Sequence, residues 1–462
     1  MTHTHTGTLP DSIKKSFLVL LLACVALTKS ANAAVIHELY PFEIGWTNAD
    51  PNGLVFASDN SFYGSTANGG IAGFGTIFRM SQAGVLTTLF EFSETNGSTP
   101  SASLVQGPDK ALYGTALFGG KGGVGTVFRI TTNGQFSTLA TFFETNGLYP
   151  HSALLAETSG TYLGTTIAGG IYGFGTVFRI STNGTLTTLA SFNGTNNGAF
   201  PYAGVTLGPD GALYGTTSNG GENGYGTLYR LTSNGVLTNV FVFDGTNGAF
   251  PYAGLTLGSD GALYGTCYAG GVNDYGTVYR VTTNGLLTTL LSFQSANGAY
   301  PFAELVRGNG GKFYGTTYNG GIDDNGTIFQ VSTNGDLETL GFFNYTNGAL
   351  SHTPLTLVNG VLYGTAAEGG SSIGGNVFSL TPDSTSTNLL KGVMLPLLRA
   401  GNGWNVRLSA ASPGGNYQFQ RATTLVGPWL VLTNITPAQD GTAQMTDPFP
   451  PSRGAFYRAA SQ

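Results

Sequence analysis

The chain has 462 residues, of which 72 are Gly and only 9% are charged. Soluble domains average about 7% Gly and about 25% charged residues, so the charge deficit excludes a basic nucleic-acid-binding protein, a coiled coil and a highly charged disordered protein. Gly does not recur at every third position, which excludes collagen. With 30 Phe and 22 Tyr, the composition predicts a large core and many short strands joined by tight turns.

Residues 1–33 have the pattern of a secretory signal peptide. Lys14 and Lys15 precede an apolar run over residues 17–27, and Ala31-Asn32-Ala33 follows as a cleavage motif. The run is too short for a membrane span, which needs about 20 residues. Lipoprotein processing is the alternative, because Leu21-Leu22-Ala23-Cys24 resembles a lipobox and would leave a lipid anchor on Cys24. Both interpretations predict a secreted, periplasmic or cell-surface protein without a transmembrane segment.

Residues 34–383 contain an internal repeat of about 50 residues. Its marker is an aromatic residue or Leu followed by Tyr-Gly-Thr, altered in the third copy to Tyr162-Leu163-Gly164. The marker glycines are Gly64, Gly114, Gly164, Gly215, Gly265, Gly315 and Gly364. Seven copies at nearly constant spacing predict seven copies of one structural unit.

Each unit is predicted to form four antiparallel strands, named a to d. In residues 251–300, Ser259-Asp260-Gly261 and Asn284-Gly285 separate β-rich runs, and such dipeptides favour hairpins because both turn positions need φ > 0. A Gly-rich loop joins b to c, and a longer loop joins d to the next a. Four antiparallel strands per repeat are typical of a β-propeller blade. A β-solenoid is the alternative, but its coils are shorter and parallel.

The ends of the repeat region predict how the ring closes. Residues 35–42 resemble a d strand, whereas the seventh unit has no clear d strand after Thr381-Pro382. We therefore expect the N-terminal segment to supply the outer strand of the last blade, which leaves no open sheet edge. The predicted fold class is all-β, with a seven-bladed propeller of four-stranded antiparallel blades over residues 34–383.

The repeated motifs resemble a known family. The units Leu-Tyr-Gly-Thr-Thr, Gly-Gly, Gly-Thr-Val-Phe-Arg and Thr-Asn-Gly-x-Leu-Thr-Thr-Leu are similar to the bacterial extracellular tandem repeat family called GloVer, which is named for Gloeobacter and Verrucomicrobia. The resemblance covers residues 35–382. It implies an exported repeat protein, in a family whose members carry various surface anchors. It carries over no established activity and no catalytic residue.

After residue 383 the repeat stops. Residues 384–394 are predicted to be a linker and residues 395–462 a small β-sandwich-like module, with strands at 404–408, 417–421, 429–432, 442–446 and 455–459. Trp404 and Trp429 are expected to anchor its core. The module resembles C-terminal modules of exported bacterial proteins, which by analogy are attachment or sorting units.

The sequence contains no catalytic, cofactor or metal-binding motif. H-E-x-x-H, G-x-S-x-G, a P-loop and an EF-hand loop are all absent, so no cofactor and no metal are predicted. Cys267 stands on strand b where the neighbouring unit has Thr217, and a small buried residue is expected rather than a nucleophile. Asn273-Asp274 and Asp323-Asp324-Asn325 lie in b–c loops, where solvated turns are expected and Ca²⁺ binding is the alternative.

Comparison of the units separates structural positions from candidate binding positions. One strand-c position is expected to act structurally between blades rather than to bind an anion. It reads Arg79, Arg129, Arg179, Arg230, Arg280, Gln330 and Ser379. The first position of strand a varies instead. It reads Asn52, Ser101, His151, Tyr202, Tyr252, Phe302 and His352.

The aromatic and His members of this second set are the candidate ligand-binding residues, namely His151, Tyr202, Tyr252, Phe302 and His352. Strand a begins near the channel, on the face of the longer b–c and d–a loops, where binding residues usually lie. Aromatic faces with a few polar groups suit a sugar or a partner's apolar side chains. The alternative is that these rings fill the gaps between blades.

The predicted function is a non-enzymatic binding or interaction scaffold for a carbohydrate or protein ligand. One alternative is a propeller-type polysaccharide lyase or glycoside hydrolase. Glycosidases need two carboxylates about 5–10 Å apart, and acids are sparse on the loop face. Those acids are Glu222, Asp274, Asp323, Asp324 and Glu368. The other alternative is a purely structural envelope protein.

Overall fold

The computed structural model describes residues 34–43, 49–158 and 160–382, together with six strands of the C-terminal part. Val35–Pro382 form one compact unit of seven antiparallel sheets. Each sheet is a propeller blade ordered from an inner strand a to an outer strand d, and the outer strand of the seventh blade is His37–Glu43. The predicted seven-bladed propeller is confirmed. The predicted signal peptide, the lipid-anchor position Cys24 and the linker at 384–394 lie outside the described residues.

The strand bounds repeat closely from blade 1 to blade 7. The a strands are Ala49–Pro51 with Val55–Phe56, Val105–Gln106, Leu148–Pro150 with Leu155–Ala156, Thr206–Leu207, Thr256–Leu257, Val306–Arg307 and Thr356–Val358. The b strands are Phe62–Asn68, Leu112–Ala116, Thr161–Ala168, Leu213–Thr217, Leu263–Cys267, Lys312–Thr317 and Val361–Ala366. The c strands are Thr76–Met80, Thr126–Ile130, Thr176–Ser181, Thr227–Leu231, Thr277–Val281, Thr327–Ser332 and Ile373–Leu380. The d strands are Leu86–Glu91, Phe136–Thr141, Leu186–Ser191, Leu237–Val242, Leu287–Ser292, Leu337–Phe342 and His37–Glu43.

The Tyr-Gly-Thr marker of strand b holds each blade to itself and to the next blade. In blade 2 the Tyr113 hydroxyl donates to Asp109 of the a–b turn at 3.0 Å. A Cβ added at Gly114 would lie 2.6 Å from the Phe128 ring, so only Gly lets that strand-c ring lie against strand b. The Thr115 hydroxyl donates to a strand-a carbonyl of blade 3 at 3.2 Å. The marker therefore recurs because most blades use these contacts, although blade 3 has Leu163 in place of the Tyr and blades 6 and 7 lack the acid.

A Phe at the end of strand d joins each blade to its neighbour. The seven residues are fully or almost fully buried, and they are Phe42, Phe92, Phe142, Phe192, Phe243, Phe293 and Phe343. Each ring meets an aromatic ring on strand c of the next blade, with centroids 4.9–5.7 Å apart. Phe42 belongs to the N-terminal strand and contacts Phe78 of blade 1. The joint between the last and first blades thus repeats the other six.

The hairpin turns differ from the predicted geometry. In the turns Asp260-Gly261 and Asn284-Gly285 of blade 5, only the glycines have positive φ, 75° and 90°. An Asp260 side-chain oxygen accepts the Ala262 N–H at 3.2 Å, which fixes a turn that needs one left-handed residue instead of two. The expectation that both positions need φ > 0 is wrong for these turns. It holds at Asn359-Gly360 of blade 7, where φ is 51° and 82°.

The strand-c Arg residues act within each blade and not between blades. Arg129 donates through Nε and Nη2 to Asp109 Oδ2, at 2.9 and 2.7 Å, and Asp109 lies in the a–b turn of the same blade. The equivalent pairs are Arg79–Asp59, Arg179–Glu157, Arg230–Asp210 and Arg280–Asp260. Blades 6 and 7, which have Gln330 and Ser379, also lack the acid and have Gly310 and Asn359 at its position. The predicted role between blades is wrong because the a–b turn brings an acid to the Arg of its own sheet.

We predict that these ion pairs make the stability of the propeller depend on acid pH. Burial alone would raise the pKa of Asp109, but hydrogen bonds from Arg129, Tyr113 and the Ala111 N–H lower it. A carboxyl group with a lowered pKa stabilises the fold above its unfolded-state pKa of about 3.9. That stabilisation is lost as the pH falls through the folded-state pKa.

The test removes the ion pair from blade 2. Asp109→Asn combined with Arg129→Gln should lower the free energy of unfolding by about 0.5–1 kcal/mol at pH 7, a small effect because both side chains are partly exposed and screened by solvent. At pH 2.5 the loss should be smaller, because the carboxyl group is then protonated in the unfolded state and the stabilisation declines as the pH approaches the lowered folded-state pKa. Urea unfolding at the two pH values measures the difference, and an equal loss at both would contradict the prediction.

The residue two positions before each candidate position of the ring has a left-handed backbone in all seven blades. The φ angles lie between 55° and 61° at Asp50, Thr99, Tyr149, Phe200, Phe250, Tyr300 and Leu350. In blade 5 the Phe250 N–H donates to the Tyr225 carbonyl of blade 4 at 3.0 Å, and the Phe250 carbonyl accepts the Tyr268 N–H at 3.1 Å. This strained residue links two blades and sets the direction in which strand a enters the ring.

The C-terminal unit contains two three-stranded sheets. One is formed by Leu398–Ala400, Gly403–Leu408 and Ala443–Asp447. The other is formed by Leu430–Ile435, Tyr417–Ala422 and Phe456–Ser461. The strand Leu398–Ala400 was not predicted, and the predicted core role of Trp404 and Trp429 lies outside the described side chains. Over the part of the chain that the structure describes, no helix has the length and apolar character of a membrane span.

Candidate ligand-binding site

A cavity of about 990 Å³ occupies the centre of the ring. It lies where the d–a loops lead into the a strands and the b strands lead into the b–c loops. All seven residues at the start of strand a line it, and they are Asn52, Ser101, His151, Tyr202, Tyr252, Phe302 and His352. The structure thus brings the five candidate residues together in the lining of one cavity, where their rings also contact one another across the blades.

Tyr202, Tyr252 and Phe302 form a continuous aromatic arc across blades 4 to 6. The Tyr202 and Tyr252 ring centroids are 5.0 Å apart with an interplanar angle of 87°. The Tyr252 and Phe302 centroids are also 5.0 Å apart, but the rings are stacked at 18°. His151 extends the arc at 5.3 Å from Tyr202, and His352 extends it at 6.3 Å from Phe302. The rings are half-buried, so each keeps part of its surface open to the cavity.

Tyr268 and Tyr318 add a second layer to this aromatic wall. Their rings lie 5.5 Å from Tyr252 and 6.4 Å from His352, respectively. Both residues directly follow strand b, at a position that sequence reasoning missed. The position reads Ala67, Leu117, Ile167, Ser218, Tyr268, Tyr318 and Ala367 around the ring. The signal that could have found it is the change to an aromatic residue in blades 5 and 6.

The wall formed by blades 1 and 2 is polar. Asn52 is almost fully buried, and its Nδ2 donates to the Pro100 carbonyl at 2.5 Å. Asp50 and Ser101 line the same side, and Asp50 Oδ1 lies 3.8 Å from His352 Nε2. The cavity therefore presents aromatic rings on one side and hydrogen-bonding groups on the other.

His151 stands at one end of the aromatic arc and contributes an uncharged polar edge. Its pKa is lowered to about 4. Burial is the main cause and the nearby His352 a smaller one, and a backbone hydrogen bond with Tyr202 partly opposes them by favouring the charged form. The ring is therefore neutral at pH 7, with one nitrogen that donates and one that accepts.

The described residues that line the cavity include two carboxylates, Asp50 and Glu304, and no Lys or Arg. Glu304 lies two residues after Phe302 on the innermost strand. The equivalent residues are small, or Pro in blade 7, and they are Gly53, Ser103, Ala153, Gly204, Gly254 and Pro354. Burial raises the pKa of Glu304 to about 7, partly opposed by a hydrogen bond from the Thr256 hydroxyl. Glu304 was missed because the loops were considered as the source of acids, although it breaks a pattern of small residues.

Cys267 and the loop acids lie apart from the cavity lining. Cys267 is fully buried, and burial raises the pKa of its thiol, partly opposed by a hydrogen bond with Thr277. Asp274 and Asp324 each accept a Gly N–H of their own loop at 2.8 Å. Within the described ranges, no group of three or more His, Cys, Asp or Glu residues is placed to hold a metal ion.

The repeat region of the chain matches a known family. A sequence profile described as the Gloeobacter/Verrucomicrobia repeat matches residues 26–208 and 201–393. The chain belongs to this family. The two matches together span all seven blades, so the Gloeobacter/Verrucomicrobia repeat accounts for the whole ring, and the resemblance drawn from the motifs is confirmed. No curated protein matches the chain.

The Gloeobacter/Verrucomicrobia repeat aligns with solved structures at low sequence identity. The BP39L lectin from Burkholderia pseudomallei aligns with a TM-score of 0.51 and 9% identity, over 73% of this chain and 97% of the lectin. A puromycin hydrolase aligns with a TM-score of 0.49 and 11% identity over 82% of this chain, which spans only 62% of the hydrolase. A PL25 ulvan lyase aligns with a TM-score of 0.40 and 11% identity, over 74% of this chain and 96% of the lyase. At these identities, the lectin match shows a shared fold and no more.

Proposed function

We propose that the protein is a non-enzymatic sugar-binding propeller that takes its ligand in the central cavity. The observation that carries the proposal is the division of the cavity wall into an aromatic side, with Tyr202, Tyr252 and Phe302, and a polar side, with Asp50 and Asn52. A sugar ring has a face of C–H groups that packs on an aromatic ring and a rim of hydroxyls that need hydrogen-bond partners. A cavity with both kinds of wall suits both parts of one such ligand.

The size and rigidity of the cavity support the same proposal. Its volume of about 990 Å³ is near the upper end of the range of about 300–1,000 Å³ that is usual for small-molecule sites. The rings of the arc contact one another, and strand a is held by hydrogen bonds to the preceding blade, so little conformational freedom is lost on binding. The similar fold of a protein named as a lectin is in keeping with this function.

The other candidate functions use less of the cavity. A glycoside hydrolase or polysaccharide lyase is favoured by one observation, which is that Asp50 and Glu304 line the same cavity. Glycosidases commonly use such a pair of carboxylates. A protein partner that inserts an apolar side chain would use the aromatic wall and leave the polar wall unpaired. A purely structural role would leave the open cavity without a use.

A glycan array probed with the full chain tests the proposal, followed by calorimetry on the glycans that bind. We expect binding of oligosaccharides with one ligand per chain. We also expect no new reducing ends and no unsaturated sugar product after long incubation with those glycans. Product formation would favour the enzyme instead, and an array without any bound glycan would overturn the proposal.

We also propose that the protein is exported to the periplasm, the cell surface or the medium. The support is the signal-peptide pattern of residues 1–33. N-terminal sequencing of protein recovered outside the cytoplasm should find Ala34 as the first residue, whereas a lipid-modified Cys24 would indicate lipoprotein processing. A chain retained in the cytoplasm with an intact N-terminus would contradict both routes.

A further inference from the structure

Among the described residues, the carboxylate of Glu304 has only a long hydrogen-bond contact. Its contact is the Thr256 hydroxyl, 3.5 Å from Oε1. The same hydroxyl lies 2.5 Å from the Leu305 carbonyl, and it has only one proton to donate. The shorter contact is favoured for that proton, so the charged form of Glu304 is left with a long, weak hydrogen bond at this position.

Two other blades show that the Thr–carbonyl hydrogen bond does not need the acid. The Thr206 hydroxyl donates to the Leu255 carbonyl at 2.5 Å, and the Thr356 hydroxyl donates to the Leu54 carbonyl at 2.6 Å. In both cases the residue equivalent to Glu304 in the accepting blade is Gly. Glu304 is therefore not required for the packing of strand a against its neighbour, and burial is what raises the pKa of its carboxyl group.

The carboxylate belongs to the same cavity lining as the aromatic residues Tyr252 and Phe302. A Cβ added at Gly254 would be 2.6 Å from Glu304 Oε2, so the carboxylate lies against the strand that carries Tyr252 two residues earlier. Phe302 stands two residues before Glu304 on its own strand. An anionic group beside aromatic rings, with no Lys or Arg in the described lining, is the arrangement that binds organic cations, because the ring faces and the carboxylate both attract positive charge.

We infer that Glu304 makes the cavity selective for a sugar with a protonated amine, such as a β-1,4-linked glucosamine oligomer. This inference rests on the proposed sugar-binding function, since the aromatic arc holds the sugar ring while Glu304 pairs with the ammonium group. Pairing inside the cavity is stronger than at an exposed carboxylate, because little water competes there. Neutral sugars use the aromatic arc alone and bind more weakly.

Calorimetry at pH 7 with the full chain and three tetrasaccharides tests the inference. The ligands are β-1,4-linked tetramers of glucosamine, N-acetylglucosamine and glucose. We expect the glucosamine tetramer to bind about tenfold more tightly than the two neutral tetramers. Glu304→Gln should reduce this preference to about twofold or less while the affinity for the glucose tetramer changes by less than about threefold.

A second carboxylate provides the matched control. Glu368 is an exposed acid of a b–c loop outside the cavity lining, so Glu368→Gln should keep the tenfold preference. This control separates local pairing from general attraction of a cation to a chain of net charge −6. Butylamine at the same concentration should not displace the glucosamine tetramer, and displacement would overturn the requirement for a sugar.

The outcomes distinguish this inference from the proposed function. If the neutral tetramers bind and the wild type shows no preference for the amine, or if the preference survives Glu304→Gln, the inference is overturned and the sugar-binding function stands. If no tetramer binds, the inference is overturned, and the glycan array alone decides the sugar-binding function. The melting temperature of Glu304→Gln should be unchanged or higher, because the substitution removes a buried carboxylate that has only a long, weak hydrogen bond. Glu304→Ala repeats the test with a second variant.

Discussion

We expect Phe42→Ala to lower the free energy of unfolding by about 3–5 kcal/mol, although Phe42 lies in a single strand that precedes the first blade in the sequence. Its side chain is fully buried, and its ring packs against Phe78 of blade 1 in a cluster that includes Leu54 and Val377. Removal of the ring would leave a cavity between the first and last blades. Urea unfolding of the full chain measures the loss.

Phe192→Ala is the matched control, because Phe192 occupies the same position in blade 3 and meets Tyr229 with 4.9 Å between centroids. If the closing joint is as well packed as the others, both substitutions should have similar effects. A loss below about 1 kcal/mol for Phe42→Ala alone would show that the closing joint contributes little. Deletion of residues 35–42 should have a larger effect, because it exposes the edge of Ile373–Leu380, and an unchanged melting temperature would contradict the closure.

The second large effect is expected on ligand binding. Tyr202→Ala and Tyr252→Ala should each weaken the binding of a glycan identified on the array by about tenfold or more, and the double variant should show no measurable binding. Both rings lie in the middle of the aromatic arc, and central aromatic residues carry the largest share of binding energy in many interfaces. A tenfold change in Kd corresponds to about 1.4 kcal/mol, and calorimetry resolves it readily.

Two further variants make this experiment specific. Tyr252→Phe keeps the ring and should retain the affinity to within about threefold, which separates stacking from the hydroxyl. Tyr172→Ala removes an exposed tyrosine of a b–c loop that is outside the cavity lining, and it should change nothing. Melting temperatures show whether the variants fold. A folded double variant with unchanged affinity would refute the proposed site.

Most of the architecture could be predicted because the contacts that build it are repeated in the sequence. Gly114 and Tyr113 recur in nearly the same form in every blade, since each sheet has the same ring on strand c and the same turn after strand a. The resemblance of residues 35–42 to a d strand has the same origin, because Phe42 fills a position occupied by Phe in the other six joints.

The features that were missed depend on contacts between separate segments of the chain. Local preference disfavours a left-handed backbone before Pro, yet Tyr149 and Phe250 adopt it because hydrogen bonds to the preceding blade outweigh that preference. The pairing of Arg129 with Asp109 joins strand c to the a–b turn of the same blade, and spacing along one strand does not reveal it.

The candidate site shows the same division between repeated and single features. Tyr252 could be placed near the channel because the start of strand a is innermost in any propeller. Glu304 occurs in one blade only, so it appears in the sequence as a departure from a repeated pattern and not as a motif.

The contact of Phe42 with Phe78 and Val377 also determines the order in which the ring can be completed. Six of the joints link residues of adjacent repeats, which are available to each other soon after synthesis. The seventh needs both the first strand and the last blade, so the strand that is made first finds its partner last. Until then the edge of Ile373–Leu380 is unpaired and open to another chain. The yield of native protein should therefore depend on how long unfinished rings persist and how concentrated they are, more than on the stability of any single blade.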